Sequence, residues 1–283
     1  MTPTILVTGA TGNVGHHVAT GLLDRGVTVR ALTRRPAEAA AGLPAAVQVV
    51  AGDLTDAGSL TDALEGVDAV FLLWPFLTSD GADAVAAAIA GRARHVVYVS
   101  ALNVTDDGDS STRGVWGAVE DAVRRSGVDR TFLRSSGFAT NTRHWAPSIR
   151  AGEPVRIPYP QAARSLIHER DIADIAVRAL TDDGHAGKAY RLTGPAALTM
   201  ADQVHAIGAA IGMPTTFVEQ PLDEARAQLA TWTDPSFADS ALRYWAGLVD
   251  EPEPVTHTIE EITGRSARTF ATWATDHADD FRG

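Results

Sequence analysis

Residues 4–15 read Thr-Ile-Leu-Val-Thr-Gly-Ala-Thr-Gly-Asn-Val-Gly. A short apolar run stops at Gly9, and Gly12 and Gly15 follow at three-residue intervals. Val14, Val18, Leu22 and Leu23 then recur at helical spacing until Gly26 closes the pattern. Strand, glycine loop and helix in that order form the setting in which a glycine pattern carries meaning. Gly9 gives the tight turn, Gly12 lets a pyrophosphate approach the backbone, and Gly15 lets the helix pack closely on the strand. The free N–H groups at the helix start then face the phosphates. No Gly-Lys-Ser/Thr ending follows, so the loop is not a P-loop. The cofactor-binding set expected here is Gly9, Thr11, Gly12, Asn13, Val14 and Gly15.

Outward from this loop, apolar runs at 27–32, 47–51, 69–74, 95–100 and 130–134 read as further strands. Helical patterns lie between them, among them 82–91 and 114–126. Continuous apolar strands alternating with helices predict an α/β fold: a Rossmann-type, doubly wound parallel sheet covered on both faces. The second half changes character. Pro147, Pro154, Pro158 and Pro160 punctuate a loop-rich stretch at 140–165. A helix is expected from about Asp171, which would cap it, to Leu180, and a short strand at 189–193. Thr199 and Asp202 form a capping pair before a helix at 200–211. Further helices are expected at 222–231, 236–248 and 266–281. This divides the chain into an NAD(P)-binding core, 1–136, and a smaller, mostly helical substrate-binding region, 137–283. The two are partly interleaved, with the ligand cleft between them.

The chain has 283 residues, 45% hydrophobic and 21% charged, enough for a core that needs no staples. It contains no cysteine, which excludes disulfides, thiolate zinc sites and cysteine nucleophiles. The formal charge of −11 disfavours nucleic acid and anionic membranes as partners. The first residues have no basic segment or long apolar run, and no apolar stretch is long enough to span a bilayer. A cytoplasmic protein, monomer or homodimer, is expected. The histidines lack ligand spacing, so no metal site is expected. No Gly-x-Ser-x-Gly elbow supports a serine hydrolase.

The end of the second strand bears on which dinucleotide binds. An NAD site places an acid there for the ribose hydroxyls. This chain has Thr33-Arg34-Arg35-Pro36. Arg34 and Arg35 suit a 2′-phosphate, which favours NADPH, with NADH as the alternative. Asp53 and Leu54, after the third strand, are placed beside the adenine. Leu73, Trp74 and Pro75, ending the fourth, line the cleft, and Ser135, Ser136, Gly137 and Phe138 follow the sixth strand toward the nicotinamide.

The TGATGNVG loop, the TRRP turn and the GDL at 52–54 together resemble the NmrA-like group of atypical short-chain dehydrogenase/reductases. The resemblance continues in VEDAVRRSGV (119–128), TFLRSSGFATN (131–141), IHERDIADIA (167–176), YRLTGP (190–195) and TGRSARTF (263–270), and so covers nearly the whole chain. It implies a Rossmann core, a small C-terminal substrate region and NADP(H). Members of the group include reductases of quinones and other carbonyls, and proteins that bind the dinucleotide as a redox signal. Most active short-chain reductases carry Tyr-x-x-x-Lys on the helix after the fifth strand, where the tyrosine protonates the substrate oxygen. Anchored on Glu120, the lysine position here is Trp116 and the tyrosine position Thr112. The chain's one lysine, Lys188, lies far away in sequence.

Three functions remain open. One is an NADPH-dependent reductase of a bulky carbonyl, an aromatic polyketide-type ketone or a quinone. In it Ser100 or Thr112 assists, or the substrate supplies its own proton. Another is a non-catalytic NADP(H) sensor that binds a protein partner, and the third an isomerisation or elimination around bound nucleotide. Trp116, Asn141, Trp145 and Tyr159 are the candidate substrate contacts, and aromatics of the second half, Trp232, Tyr244 and Trp245 included, suit a flat aromatic ligand. His144 and His168 are weighed as acid–base groups, with surface or core packing as the plainer role. His16 and His17, just past the glycine loop, are read as helix-surface residues.

Overall fold

A computed structural model describes residues 2–106, 113–231 and 233–282. Thr112 and Trp232 lie outside the described residues. In chain order the first elements are β1 (Thr4–Thr8), α1 (Asn13–Asp24), β2 (Thr28–Thr33), α2 (Pro36–Gly42), β3 (Gln48–Ala51), α3 (Leu60–Ala63), β4 (Ala69–Leu73), α4 (Ala82–Ala90), β5 (His95–Ala101), α5 (Gly114–Ser126) and β6 (Asp129–Ser135). A 3₁₀ turn (Ala139–Trp145) leads to α6 (Ala146–Arg150), β7 (Val155–Ile157), β8 (Ala163–Arg164), α7 (Glu169–Thr181) and β9 (Ala189–Leu192). Then come β10 (Leu198–Thr199), α8 (Met200–Ile211), β11 (Phe217–Glu219), α9 (Leu222–Leu229), α10 (Pro235–Asp250), α11 (Thr258–Thr263), α12 (Phe270–Asp276) and α13 (Ala278–Phe281).

Two compact units form. The first holds residues 1–135 and 169–192. Its sheet has seven parallel strands in the order β3-β2-β1-β4-β5-β6-β9, so the order reverses between β1 and β4. That is the doubly wound fold expected from the alternating pattern, and ligands of such sheets bind at the carboxyl ends of the strands near the reversal. Ile5, Leu6, Val70, Phe71, Val96, Val97 and Tyr98 are almost fully buried, which is why these strands read as unbroken apolar runs. On one face Leu60, Val85, Ile89, Val119 and Val123 from α3, α4 and α5, with Leu64 just past α3, cover Val70, Leu72, Val96 and Tyr98. On the other, α1 packs on α7 closely enough that a Cβ at Gly21 would sit 3.0 Å from Val177 Cγ2.

The second unit holds residues 136–168 and 193–283. Its core gathers Trp145, Ile149, Val155, Ile157, Leu166, Val204, Ile207, Phe270, Trp273 and Phe281. Two small sheets, β10 with β8 antiparallel and β11 with β7 parallel, stiffen it. Here the sequence expectations need correcting. The stretch 140–165 is not simply loop: it contains the 3₁₀ turn, α6, β7 and β8, elements too short to show a period. The helix expected over 266–281 is broken at His277 (φ −110°, ψ 16°) into α12 and α13. Asp171 does not precede α7. The helix starts at Glu169, and Asp171 lies inside its first turn, 2% exposed. The Thr199–Asp202 pair does cap α8, with Thr199 Oγ1 accepting from the Asp202 amide at 3.0 Å and donating to Asp202 Oδ2 at 2.7 Å.

Candidate functional site

The glycine loop makes a tight turn between β1 and α1. Gly9 has φ +64°, a conformation that favours glycine, and its carbonyl accepts from the Gly12 amide at 2.9 Å. A Cβ at Gly15 would lie 2.1 Å from the Gly9 oxygen, so the helix start and the turn are in direct backbone contact. Gly12 differs. It has extended backbone (φ −92°, ψ 176°), and a Cβ there would meet only the Gly9 oxygen, at 3.3 Å. Its bareness leaves space in front of the helix start and serves no turn. The first turn of α1 holds no acidic residue, so the positive dipole end of the helix meets no carboxylate there. Thr11, Gly12 and Asn13 are exposed there, while Val14 is buried beneath them. Thr8 ties the loop to the neighbouring strand: its Oγ1 accepts from the Leu73 amide at 2.8 Å.

At the end of β2 the two arginines behave differently. Arg35 pairs with Glu38 at 2.7 Å. Arg34 is exposed, and its charge helps to hold the Asp53 carboxyl below the usual range, an effect due mainly to the Thr55 amide. No acid stands at the end of β2, so this strand end presents positive charge. Leu54 is buried beside Asp53. Along β4, Leu73 is half-buried and Pro75 exposed, whereas the Trp74 side chain turns into the core and bonds the Thr78 carbonyl through its indole N–H at 2.7 Å. These residues fit a dinucleotide: an open helix N-terminus, a bare glycine before it and a cationic strand end.

Ser100, on β5, is 3% exposed and its Oγ has no partner among the described residues. Its carbonyl accepts from Ser135 Oγ at 3.2 Å. Trp116 is half-buried on α5, which carries no tyrosine or lysine. One turn on, the fully buried Glu120 receives Arg134 Nε (2.9 Å) and Nη2 (2.8 Å) and Arg124 (2.9 Å). Asp106 closes the network on Arg134 at 2.6 Å, and these bonds push the Arg134 guanidinium up, Glu120 first. A paired Glu–Arg core thus stands near the lysine position. No tyrosine compensates from elsewhere in this unit. Tyr98 is buried, and burial drives its phenol far above the usual range. Tyr190 bonds His185 at 2.9 Å. Lys188 is exposed before β9.

In the second unit, the segment after β6 is pinned beside residues 165–167. Ser136 Oγ donates to the Ser165 carbonyl (2.6 Å), Ile167 N to Gly137 O (3.0 Å) and Ala139 N to Ile167 O (2.8 Å). Phe138 is half-buried and Asn141 exposed, while Trp145 is 6% exposed within the core. Tyr159 and Trp245 pack against both that core and the Ala225–Leu242 cluster. His168 is buried with Nε2 3.3 Å from Asp276 Oδ2, and His144 bonds the Asn141 carbonyl. Two residues that sequence reasoning missed meet here: Arg164, and the buried Glu253 at 3.6 Å from it. Nothing local marks either of them, since 88 residues separate Glu253 from its other partner Ser165.

The NmrA-like family model matches residues 1–270. A (4-alkanoyl-5-oxo-2,5-dihydrofuran-3-yl)methyl phosphate reductase of Streptomyces griseus is 42% identical over 98% of this chain and 99% of its own length. An NAD(P)H azoreductase of Xenophilus azovorans is 34% identical over 98% and 99%. Among solved structures, the Citrobacter triphenylmethane reductase complexed with NADP(H) matches with a TM-score of 0.80 at 20% identity, over 97% of this chain and 99% of that one. The Escherichia coli NADPH-dependent quinone oxidoreductase complexed with NADPH matches with a TM-score of 0.78 at 22% identity, over 96% and 99%.

Proposed function

The chain belongs to the NmrA-like family and is an NAD(P)H-dependent oxidoreductase, and on that premise we propose that it reduces a conjugated acceptor, a quinone or an aryl or unsaturated ketone, with NADPH. The observation that carries this reading is the absence of a tyrosine or lysine from α5, with no tyrosine of the first unit free to replace them. Reduced dinucleotide supplies two electrons as hydride. An isolated ketone so reduced becomes a strongly basic alkoxide and needs a protein acid. A quinone or an unsaturated ketone becomes a delocalised phenolate or enolate that water can protonate, and an aryl ketone, whose alkoxide stays localised, needs an adjacent phenol to give the proton. The names of the relatives fit: a dihydrofuranone bearing two carbonyls, an azo compound and a quinone all describe conjugated acceptors.

In this reading Gly9–Gly15 and the start of α1 hold the pyrophosphate and Arg34 the 2′-phosphate. Leu73 and Ser135, both of the first unit, lie toward the nicotinamide. Ser100, with its buried and unpaired hydroxyl, polarises the substrate oxygen without supplying a proton. The test is NADPH oxidation with matched acceptors: a naphthoquinone, an aryl ketone with an adjacent phenol, its methyl ether, and a saturated cyclic ketone. Turnover should fall in that order, because the internal hydrogen bond of the phenol stabilises the developing oxyanion. Equal rates on the saturated ketone and the quinone would refute the reading. Tight NADPH binding without turnover of any acceptor would place the chain among redox sensors instead.

A further inference from the structure

We infer that Glu38 tunes the nucleotide preference of this chain by competing with the 2′-phosphate of NADPH for the Arg35 guanidinium. The inference rests on the reading above that the residues after β2 meet that phosphate, and every residue it uses belongs to the first unit. The two arginines that follow β2 stand in different states. Arg35 Nη1 pairs with Glu38 Oε2 at 2.7 Å. Arg34 forms no ion pair or hydrogen bond among the described residues, and its charge is felt only by Asp53, just past β3. One guanidinium is therefore open to an anion from the outset, and the other already holds one.

The pair follows from local structure. Arg35 immediately precedes Pro36, which opens α2, and Glu38 lies in the first turn of that helix. Residues three apart there are neighbours on the helix surface. The corner is held by its backbone: the Arg35 amide donates to Thr33 Oγ1 at 3.1 Å, and the Arg35 carbonyl accepts from the Ala39 amide at 3.1 Å. The side chains themselves stay 72% and 65% exposed, so water screens the pair and it is weak. A stronger anion can displace the carboxylate. A phosphate monoester carries about −1.5 to −2 charges near neutral pH, against one on a carboxylate. Its oxygens also match the arginine fork. NADH brings no such group to the end of β2 and leaves the pair as it stands.

Glu38 therefore acts on one nucleotide and not on the other. With NADPH, Arg35 must leave Glu38 before it reaches the phosphate, and the carboxylate left behind repels the phosphate. Both effects weaken NADPH alone. Arg34 carries the discrimination, and Arg35 adds only what remains after the exchange. The preference for NADPH over NADH is thus held below what two unpaired arginines would give. Glu38 does not occupy the place of the acid in an NAD site, which ends the second strand and accepts from the ribose hydroxyls. It stands on α2 instead, with one oxygen engaged by Arg35.

The experiment measures Kd for NADPH and for NADH by fluorescence titration, at low and at high salt, on wild type, R34A, E38Q, R35A and the double variant R35A/E38Q. Glutamine removes the charge and keeps the helix propensity, and Tm and NADH affinity check that the loop and α2 are intact. E38Q should tighten NADPH about 3- to 5-fold at low salt, the scale of one exposed ion pair, and leave NADH unchanged. The gain should fade at high salt. On the R35A background the same substitution should gain much less, because no guanidinium is released. A gain of full size there would mean that Glu38 acts by its charge alone and would overturn the inference. Equal shifts for NADPH and NADH would overturn it as well. An E38Q variant without effect, beside an R34A variant that loses the NADPH preference, overturns this inference alone. An R34A variant that keeps the full preference overturns both the placement of the phosphate and this inference.

Discussion

Gly12→Val and Gly15→Ala should separate cofactor binding from folding within a single loop. At Gly15 the added Cβ would stand 2.1 Å from the Gly9 oxygen and 2.5 Å from its carbonyl carbon. Ordinary contact is about 3.5 Å, so turn and helix must part by roughly 1.4 Å, backbone against backbone. Overpacking of that kind costs about 1–3 kcal/mol, which for a chain of this size lowers Tm by roughly 2–10 °C. At Gly12 the nearest atom is 3.3 Å away and the backbone is extended, so valine fits with a shift of a few tenths of an ångström at most. Its stability should be close to that of wild type. The side chain instead fills the space before α1 and removes about two charge-assisted bonds to phosphate, about 3–6 kcal/mol, or 10²- to 10⁴-fold in Kd. Thermal unfolding and NADPH titration on the two variants read both quantities. Gly12→Val with wild-type affinity would refute the placement of the pyrophosphate. Gly12→Val that unfolds while Gly15→Ala does not would refute the loop geometry itself.

Arg34→Ala should weaken NADPH by about 1–3 kcal/mol and NADH hardly at all, because only the 2′-phosphate distinguishes them; equal losses in titrations with the two nucleotides would remove Arg34 from that role. Arg35→Ala should matter less, since Glu38 already engages that guanidinium. Glu120→Ala leaves Arg134 buried beside Asp106 alone and should cost about 3–5 kcal/mol in denaturant unfolding, a loss far below 1 kcal/mol contradicting a buried pair.

The first unit was largely legible because its physics is local. Its strands are buried on both faces and bounded by turns, so β1, β4 and β5 stand in the sequence as unbroken apolar runs. The glycine loop could be read because three backbone demands fall within seven residues. The second unit resists for the opposite reason. β8 and β10 are two residues each, a length that shows no period, and they exist because Leu198 and Thr199 find Arg164 and Ala163. The Arg164–Glu253 contact depends on that pairing and on the buried position of residue 253, and neither has a local signature. Glu120 was visible as a helix residue, but its ion pair with Arg134 across α5 and β6 was not.

The missing tyrosine bears on energetics as much as on identity. If hydride leaves charge on an isolated oxygen, the product is an alkoxide about as basic as hydroxide, far above the range of a phenol. Spread over an aromatic or enolate system, the charge belongs to a group more like a phenol, with a pKa of about 10. The two differ by several pKa units, each worth about 1.4 kcal/mol of product basicity. A positioned general acid typically contributes about 10²- to 10⁴-fold, or roughly 3–5 kcal/mol. Delocalisation in the acceptor can therefore exceed what Tyr-x-x-x-Lys would contribute, and little selection for that pair remains once the substrate is conjugated. What such a substrate still needs is a fixed dipole or cation at its oxygen and a site that holds it in register. The lysine position is then released from catalysis, which is consistent with a tryptophan standing there one turn before the buried Glu120.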